Sequence, residues 1–152
     1  MGVKPEVGGV QFKRRDMLSQ MHVLSDTQFK EFCGTLFQAL GYEMRPLQAD
    51  SGTGADFELA QGGRLVVVRC KQQQSTQTVV GETAVRDLLG VVTRHGADRG
   101  IFCVNGYFST RAMTWAAGTC IELMDAAEIM RLWSAHADEV SLPAVAQPRE
   151  WS

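Results

Sequence analysis

The chain has 152 residues, of which 45% are hydrophobic, and a formal net charge of −2. That length suits one domain able to bury its apolar surface without disulfide or metal staples. The slightly acidic balance argues against broad electrostatic binding to nucleic acid but leaves room for a local basic groove. No apolar run is long enough to span a bilayer, and the start lacks the apolar core of a signal peptide, so no membrane segment and a cytoplasmic protein are expected.

The four cysteines, Cys33, Cys70, Cys103 and Cys120, sit in apolar runs with no metal-ligand spacing, which predicts reduced, buried thiols. His22, His95 and His136 form no HxH or HxxxH pattern, so a zinc site is not expected.

Residues 1–24 read as a peripheral segment, loosened by Gly2, Pro5, Gly8 and Gly9. Lys13-Arg14-Arg15 there is either a phosphate-contacting arm or a solvated linker. Ser25-Asp26-Thr27-Gln28 is a capping box. Phe29, Phe32, Cys33, Leu36, Phe37 and Leu40 follow at helical spacing until Gly41 stops the helix. Tyr42 to Leu47 is a short strand candidate.

Gly52 to Lys71 reads as a loop and a hairpin turning at Gly62-Gly63, where both residues take positive φ without a Cβ clash. Arg64 to Lys71 is β-branched and apolar until it ends on charge. The amide-rich run from Gln72 to Thr78 is a loop that either faces a substrate or merely connects. Glu82 to His95 is a second helix, with Val85, Leu88, Leu89 and Val92 inward and Gly96 ending it. Gly100 to Val104 is a strand buried on both faces. Asn105-Gly106 turns the chain, and Ser109 caps a helix through Ala117. Cys120 to Leu123 is a short strand, and Asp125-Ala126-Ala127-Glu128 opens a last helix to about His136 as a second capping box. Residues 25–136 then form the domain, and 137–152, with Pro143 and Pro148, a tail. The element order predicts an α/β fold with a mixed sheet and helices on both faces.

Side chains alternate along strands, so Val67, Arg69, Lys71 and Gln73 share one face while Val68 and Cys70 take the other, and Asp56 and Glu58 likewise share a face. The hairpin is thus expected to gather Asp56, Glu58, Arg69 and Lys71 on one surface. A carboxylate there suits Mg²⁺ beside a phosphate, and a lysine suits the charge that develops on it. Equally, Asp56 is a turn acid and Lys71 an ordinary strand end.

The core resembles the Mrr-like branch of the PD-(D/E)xK restriction endonuclease superfamily over roughly residues 25–133. The likeness runs through Phe29, Leu36, Phe37 and Gly41-Tyr42, through Gly54-Ala55-Asp56, and through Val67-Val68-Arg69-Cys70-Lys71, where the family has a strand ending Gln-Cys-Lys. It continues through Val80-Gly81, Val85-Arg86-Asp87-Leu88, Gly100-Ile101-Phe102, Phe108-Ser109, Ala112 and Ile121-Glu122-Leu123. The resemblance implies an α/β/α sandwich on a central mixed five-stranded sheet and Mg²⁺-dependent cleavage of double-stranded DNA, with a homodimer to supply two sites. It makes Asp56 the metal-binding acid, Lys71 the catalytic lysine and the Cys70 main-chain carbonyl a metal ligand. Two positions depart from it. Arg69 stands where the family has Gln or Glu, and Lys30 where it often has Glu; each puts a cation in place of an oxygen donor, and a cation repels a divalent metal. Three readings stay open: a nuclease in which Glu58 supplies the missing oxygen; a catalytically silent relative that binds DNA through Lys30, Arg69, Gln73, Lys71 and Arg111; and an interaction module that keeps only the fold.

Overall fold

The computed structural model describes residues 21–47, 54–72 and 79–136. Lys13-Arg14-Arg15, Gln73 with most of the glutamine loop, and the tail 137–152 lie outside the described residues.

Met21–Val23 are helical, and helix α1 (Asp26–Ala39) then begins where its capping box places it. Ser25 Oγ accepts from the Gln28 N–H at 3.1 Å, and Gln28 Oε1 accepts from the Ser25 N–H at 2.8 Å. Leu24 and Phe29 flank this box and are both buried in one cluster, the arrangement of a hydrophobic staple. Met21 and Leu24 therefore belong to the core, ahead of the boundary at residue 25 read from composition. The Gly- and Pro-rich start hid two apolar residues that pack.

Strands β1 (Glu43–Pro46), β2 (Phe57–Gln61) and β3 (Arg64–Lys71) form an antiparallel meander. The hairpin between β2 and β3 turns on Gly62 and Gly63, with φ of 59° and 81°, so both central residues take the positive φ of a type I′ turn. After a two-residue strand β4 (Val79–Val80), helix α2 (Glu82–His95) crosses to β5 (Arg99–Val104), which pairs parallel with β3. A second short strand, β6 (Tyr107–Phe108), pairs parallel with β4; this small ladder carries no sequence signal, because two residues show no periodicity. Helix α3 (Thr110–Ala116) leads to β7 (Ile121–Met124), parallel to β5, and helix α4 (Ala126–Ala135) follows. Asp125 caps α4 through the Glu128 N–H at 3.0 Å. The reciprocal half of the expected capping box is missing, because the Glu128 carboxylate takes a fork to Arg131 at 2.6 and 3.1 Å instead.

The sheet order is β1-β2-β3-β5-β7. It is a mixed five-stranded sheet between two helical layers, the α/β/α arrangement of the restriction endonuclease-like fold. Val66, Val68 and Cys70 of β3 point into one cluster with α1 and α4, while Val67 points into the other with α2 and α3. Each large apolar side chain buried in these layers contributes about 1.5–3 kcal/mol. Cys33, Cys70 and Cys103 are buried as expected, but Cys120 is exposed. It stands ahead of β7, just after the turn at Gly118 (φ 87°), rather than inside the strand. No helix among the described residues is long and apolar enough to cross a membrane.

Candidate active site

Asp56 stands one residue ahead of β2 and extends its ladder. Its N–H donates to the Val68 carbonyl at 2.8 Å, and its Oδ2 accepts from the Cys70 N–H at 2.6 Å. The carboxylate thus takes the place of the next main-chain partner of β3. Its other oxygen, Oδ1, lies 3.0 Å from Lys30 Nζ. Lys30 reaches it from α1 while also holding Asp26 Oδ2 at 3.0 Å, one helical turn back. Burial works against the Lys30 charge, but the bonds to Asp26 and Asp56 outweigh it and raise its pKa above the ordinary lysine value.

Glu58 goes elsewhere. It is paired in register with Val67 and faces α2, where its Oε1 lies 2.8 Å from His95 Nε2. Its Oε2 accepts from Arg45 at 3.3 Å. The sequence placed Asp56 and Glu58 on one surface by parity; the structure parts them, because Asp56 lies off the end of β2 and turns toward β3 and α1. Glu58 is a bridge between β1, β2 and α2.

Arg69 and Lys71 do share a face. Together with Gly54, Asp87, Val91 and Arg94 they line a cleft of about 280 Å3 between the end of β3 and α2. Arg69 donates to the Gly54 carbonyl at 2.8 Å, which uses one N–H of a guanidinium that has five. Gly54 is held at φ 83°, and a Cβ there would lie 3.3 Å from a Val91 methyl, so the loop runs close against α2 at this point. Lys71 is exposed at the strand end. Arg111 is exposed in the first turn of α3 and is not part of the cleft wall. Asp87 and Arg94 were missed from sequence. The signal was present: Ala84, Asp87, Leu88, Val91 and Arg94 follow 3–4 spacing and share the helix stripe that meets the strand end.

The donor set does not fit a divalent ion. Both Asp56 oxygens are engaged, one by an ammonium. Glu58 is held by Arg45 and His95. Arg69 presents a guanidinium, which donates hydrogen bonds and offers a metal no lone pair. Among the described residues Asp56 belongs to no trio of carboxylate, imidazole or thiolate donors near enough to share an ion. The cleft next to it is instead lined by three cations and one acid, which is a surface for a phosphate.

Comparison with known proteins agrees with the fold. A family model described as Restriction endonuclease, Mrr_cat, matches residues 21–133. No curated protein matches the chain. Among solved structures, the protein of unknown function AF1548 superposes with a TM-score of 0.60 at 18% identity, over 70% of this chain and 66% of that one. The DNA modification-dependent restriction endonuclease AspBHI gives a TM-score of 0.60 at 16% identity, over 82% of this chain and 35% of its own. The MspJI restriction endonuclease, solved in complex with a 27-mer oligonucleotide, gives 0.57 at 15% identity, over 93% and 34%. The chain therefore spans about a third of the length of those two enzymes.

Proposed function

The chain belongs to the Mrr_cat restriction endonuclease family, and from that membership we propose that it binds the backbone of double-stranded DNA at the β3–α2 cleft without a metal. One observation carries this reading. Lys30 neutralises the single carboxylate that would hold an ion, at 3.0 Å, while Arg69, Lys71 and Arg94 line the adjoining cleft. Arginine offers a phosphate its planar fork, and lysine offers a point charge. The oligonucleotide carried by the related MspJI fold is consistent with a nucleic-acid ligand. The exposed Arg111 and the loop containing Gln73 are further candidates to touch the duplex.

A second reading is metal-dependent phosphodiester hydrolysis by this same site, with Mg²⁺ as the ion. It is favoured by Asp56 accepting from the Cys70 N–H, one residue before Lys71 at the end of β3. It requires Lys30 to leave Asp56 and other donors to replace those that Glu58 and Arg69 do not supply. Cutting both strands would also take two sites, which a homodimer would provide; phosphate binding needs only one copy.

The test is fluorescence anisotropy of a labelled duplex in EDTA, followed by gel analysis of the same duplex in Mg²⁺ or Mn²⁺. Binding in EDTA with the duplex intact in both metals is the expected result. Cleavage that Asp56→Asn abolishes would replace this reading with the second.

A further inference from the structure

On the sheet face opposite the cleft, three thiols meet. Cys33 comes from α1, Cys70 from β3 and Cys103 from β5, and the last two are directly paired in parallel register. Their sulfur atoms all lie within 4.8 Å of one another. All three are reduced and between 0% and 3% exposed. Among the described residues they are the one trio of histidine, cysteine or carboxylate donors so close together. Their sequence positions gave no hint of this, since each lies on a different element.

The surroundings decide which ion suits such a trio. The trio belongs to the apolar cluster that also holds Phe29, Phe32, Phe57, Ile101 and Ile129, with the Asp56 carboxylate on the Cys70 N–H as its polar neighbour. Zinc takes four ligands in a structural site, or three and a water; this site has three sulfurs in an apolar cluster. Soft thiolate donors without oxygen or nitrogen select Cu(I). We propose that Cys33, Cys70 and Cys103 form a trigonal, all-sulfur site for a soft monovalent cation, Cu(I).

Metal–sulfur bonds of about 2.3 Å place three trigonal sulfurs ~4 Å apart. The trio must therefore contract by less than about one ångström from its widest spacing, a side-chain movement. Copper enters and stays as Cu(I), so no electron moves; the protons displaced from the thiols go to solvent. Burial pushes Cys33 up, but the S–H groups of Cys103 and Cys70 point at it and pull it down to about 6. Cys70 is raised by burial and by the bonds it shares in the cluster, and Cys103 is raised by the proton it gives to Cys33. The trio is joined to the cleft through the main chain of β3. Cys70 lies between Arg69 and Lys71 and donates its N–H to Asp56, so an ion here would stiffen the strand end that carries those residues.

The experiment is an anaerobic titration in which the protein competes with bathocuproine disulfonate, a colorimetric Cu(I) chelator. Wild type and Cys120→Ser, which removes only the exposed thiol, are expected to withdraw one equivalent of Cu(I). Cys33→Ala and Cys103→Ala are expected to lose affinity at least tenfold, since removing even an outer partner of a ligand costs about 10–100-fold. X-ray absorption on the loaded wild type reads the site without any substitution, and three sulfur scatterers are expected. No copper withdrawn by wild type, loss of binding in Cys120→Ser, unchanged affinity in a folded Cys33→Ala, or nitrogen or oxygen in the coordination shell would each overturn the proposal.

Discussion

Lys30→Gln tests the central claim about Asp56. A divalent ion on Asp56 Oδ1, at a bond length of about 2.1 Å, would stand on the order of 4–5 Å from an ammonium that is itself 3.0 Å from that oxygen. Two charges against one at that distance repel by about 2 kcal/mol in water and by about 7 kcal/mol at an effective dielectric of 20. The Lys30 side chain is 35% exposed and that of Asp56 15%. The pair is therefore partly screened, and the lower figure is the one to use. It corresponds to a loss of roughly 30-fold in metal affinity. Titrated calorimetrically with Mn²⁺ at pH 7, Lys30→Gln should bind about 30-fold more tightly than wild type. Lys30→Arg, which keeps the charge, should behave as wild type. Adding Arg69→Gln to Lys30→Gln should tighten binding again, because a second cation gives way to an oxygen. The fold should survive these changes, since Asp56 still accepts from Cys70. Equal Mn²⁺ affinity in wild type and Lys30→Gln would refute the reasoning, for Lys30 would then leave Asp56 at no cost.

Four other outcomes follow from the same geometry. Arg69→Ala and Lys71→Ala should each weaken duplex binding in EDTA uniformly across sequences, and each should reduce the slope of log affinity against log salt by about 0.9, measured by anisotropy over a salt series. Glu58→Gln should cost about 1–3 kcal/mol in urea unfolding by weakening two charged contacts, while leaving Mn²⁺ binding as it is in wild type. Gly54→Ala forces a side chain into positive φ against Val91 and should cost about 1–2 kcal/mol in the same assay. Lys30 has a raised folded pKa, so its contribution to stability is complete below the unfolded lysine value and is lost as pH rises through the folded one. Thermal melts should therefore show wild type losing its advantage over Lys30→Met above about pH 10.4 and keeping it at pH 9.

Most of the fold was legible because its signals are local. The Ser25 box, the Gly62-Gly63 turn and the apolar stripe of α2 each act within a few residues, and each forms as its chemistry dictates. What was not legible depends on where elements end. Asp56 and Glu58 have the same parity, but parity governs side chains only inside a strand. Asp56 lies just outside β2; its main chain still bonds to Val68, but its carboxylate turns along the ladder to accept from the Cys70 N–H. Glu58 lies inside β2 and kept the direction that parity gives, into α2 and onto His95. The cysteine trio was hidden for a different reason. Its members stand on a helix and two strands, far apart in sequence, and metal-site spacing rules describe ligands that share a loop or a turn.

The two cationic replacements, equivalent on paper, do different things in space. Lys30 is drawn onto Asp56 and cancels its charge. Among the described residues Arg69 makes no such ion pair; it braces the loop at Gly54 and faces the cleft. Had Lys30 been the only change, Asp56 would be silenced and the cleft would hold Lys71, Arg94 and Asp87, with a net charge of one. Had Arg69 been the only change, Asp56 would be unpaired beside the guanidinium and would compete with any phosphate for it. Together they leave the cleft cationic and keep the carboxylate from opposing it. Among the described residues that line it, a phosphate there would meet Arg69, Lys71 and Arg94 with Asp87 against them, and that excess falls on one face of a chain whose formal net charge is −2. Local arrangement, and not the overall balance of charge, is what suits this surface to a polyanion.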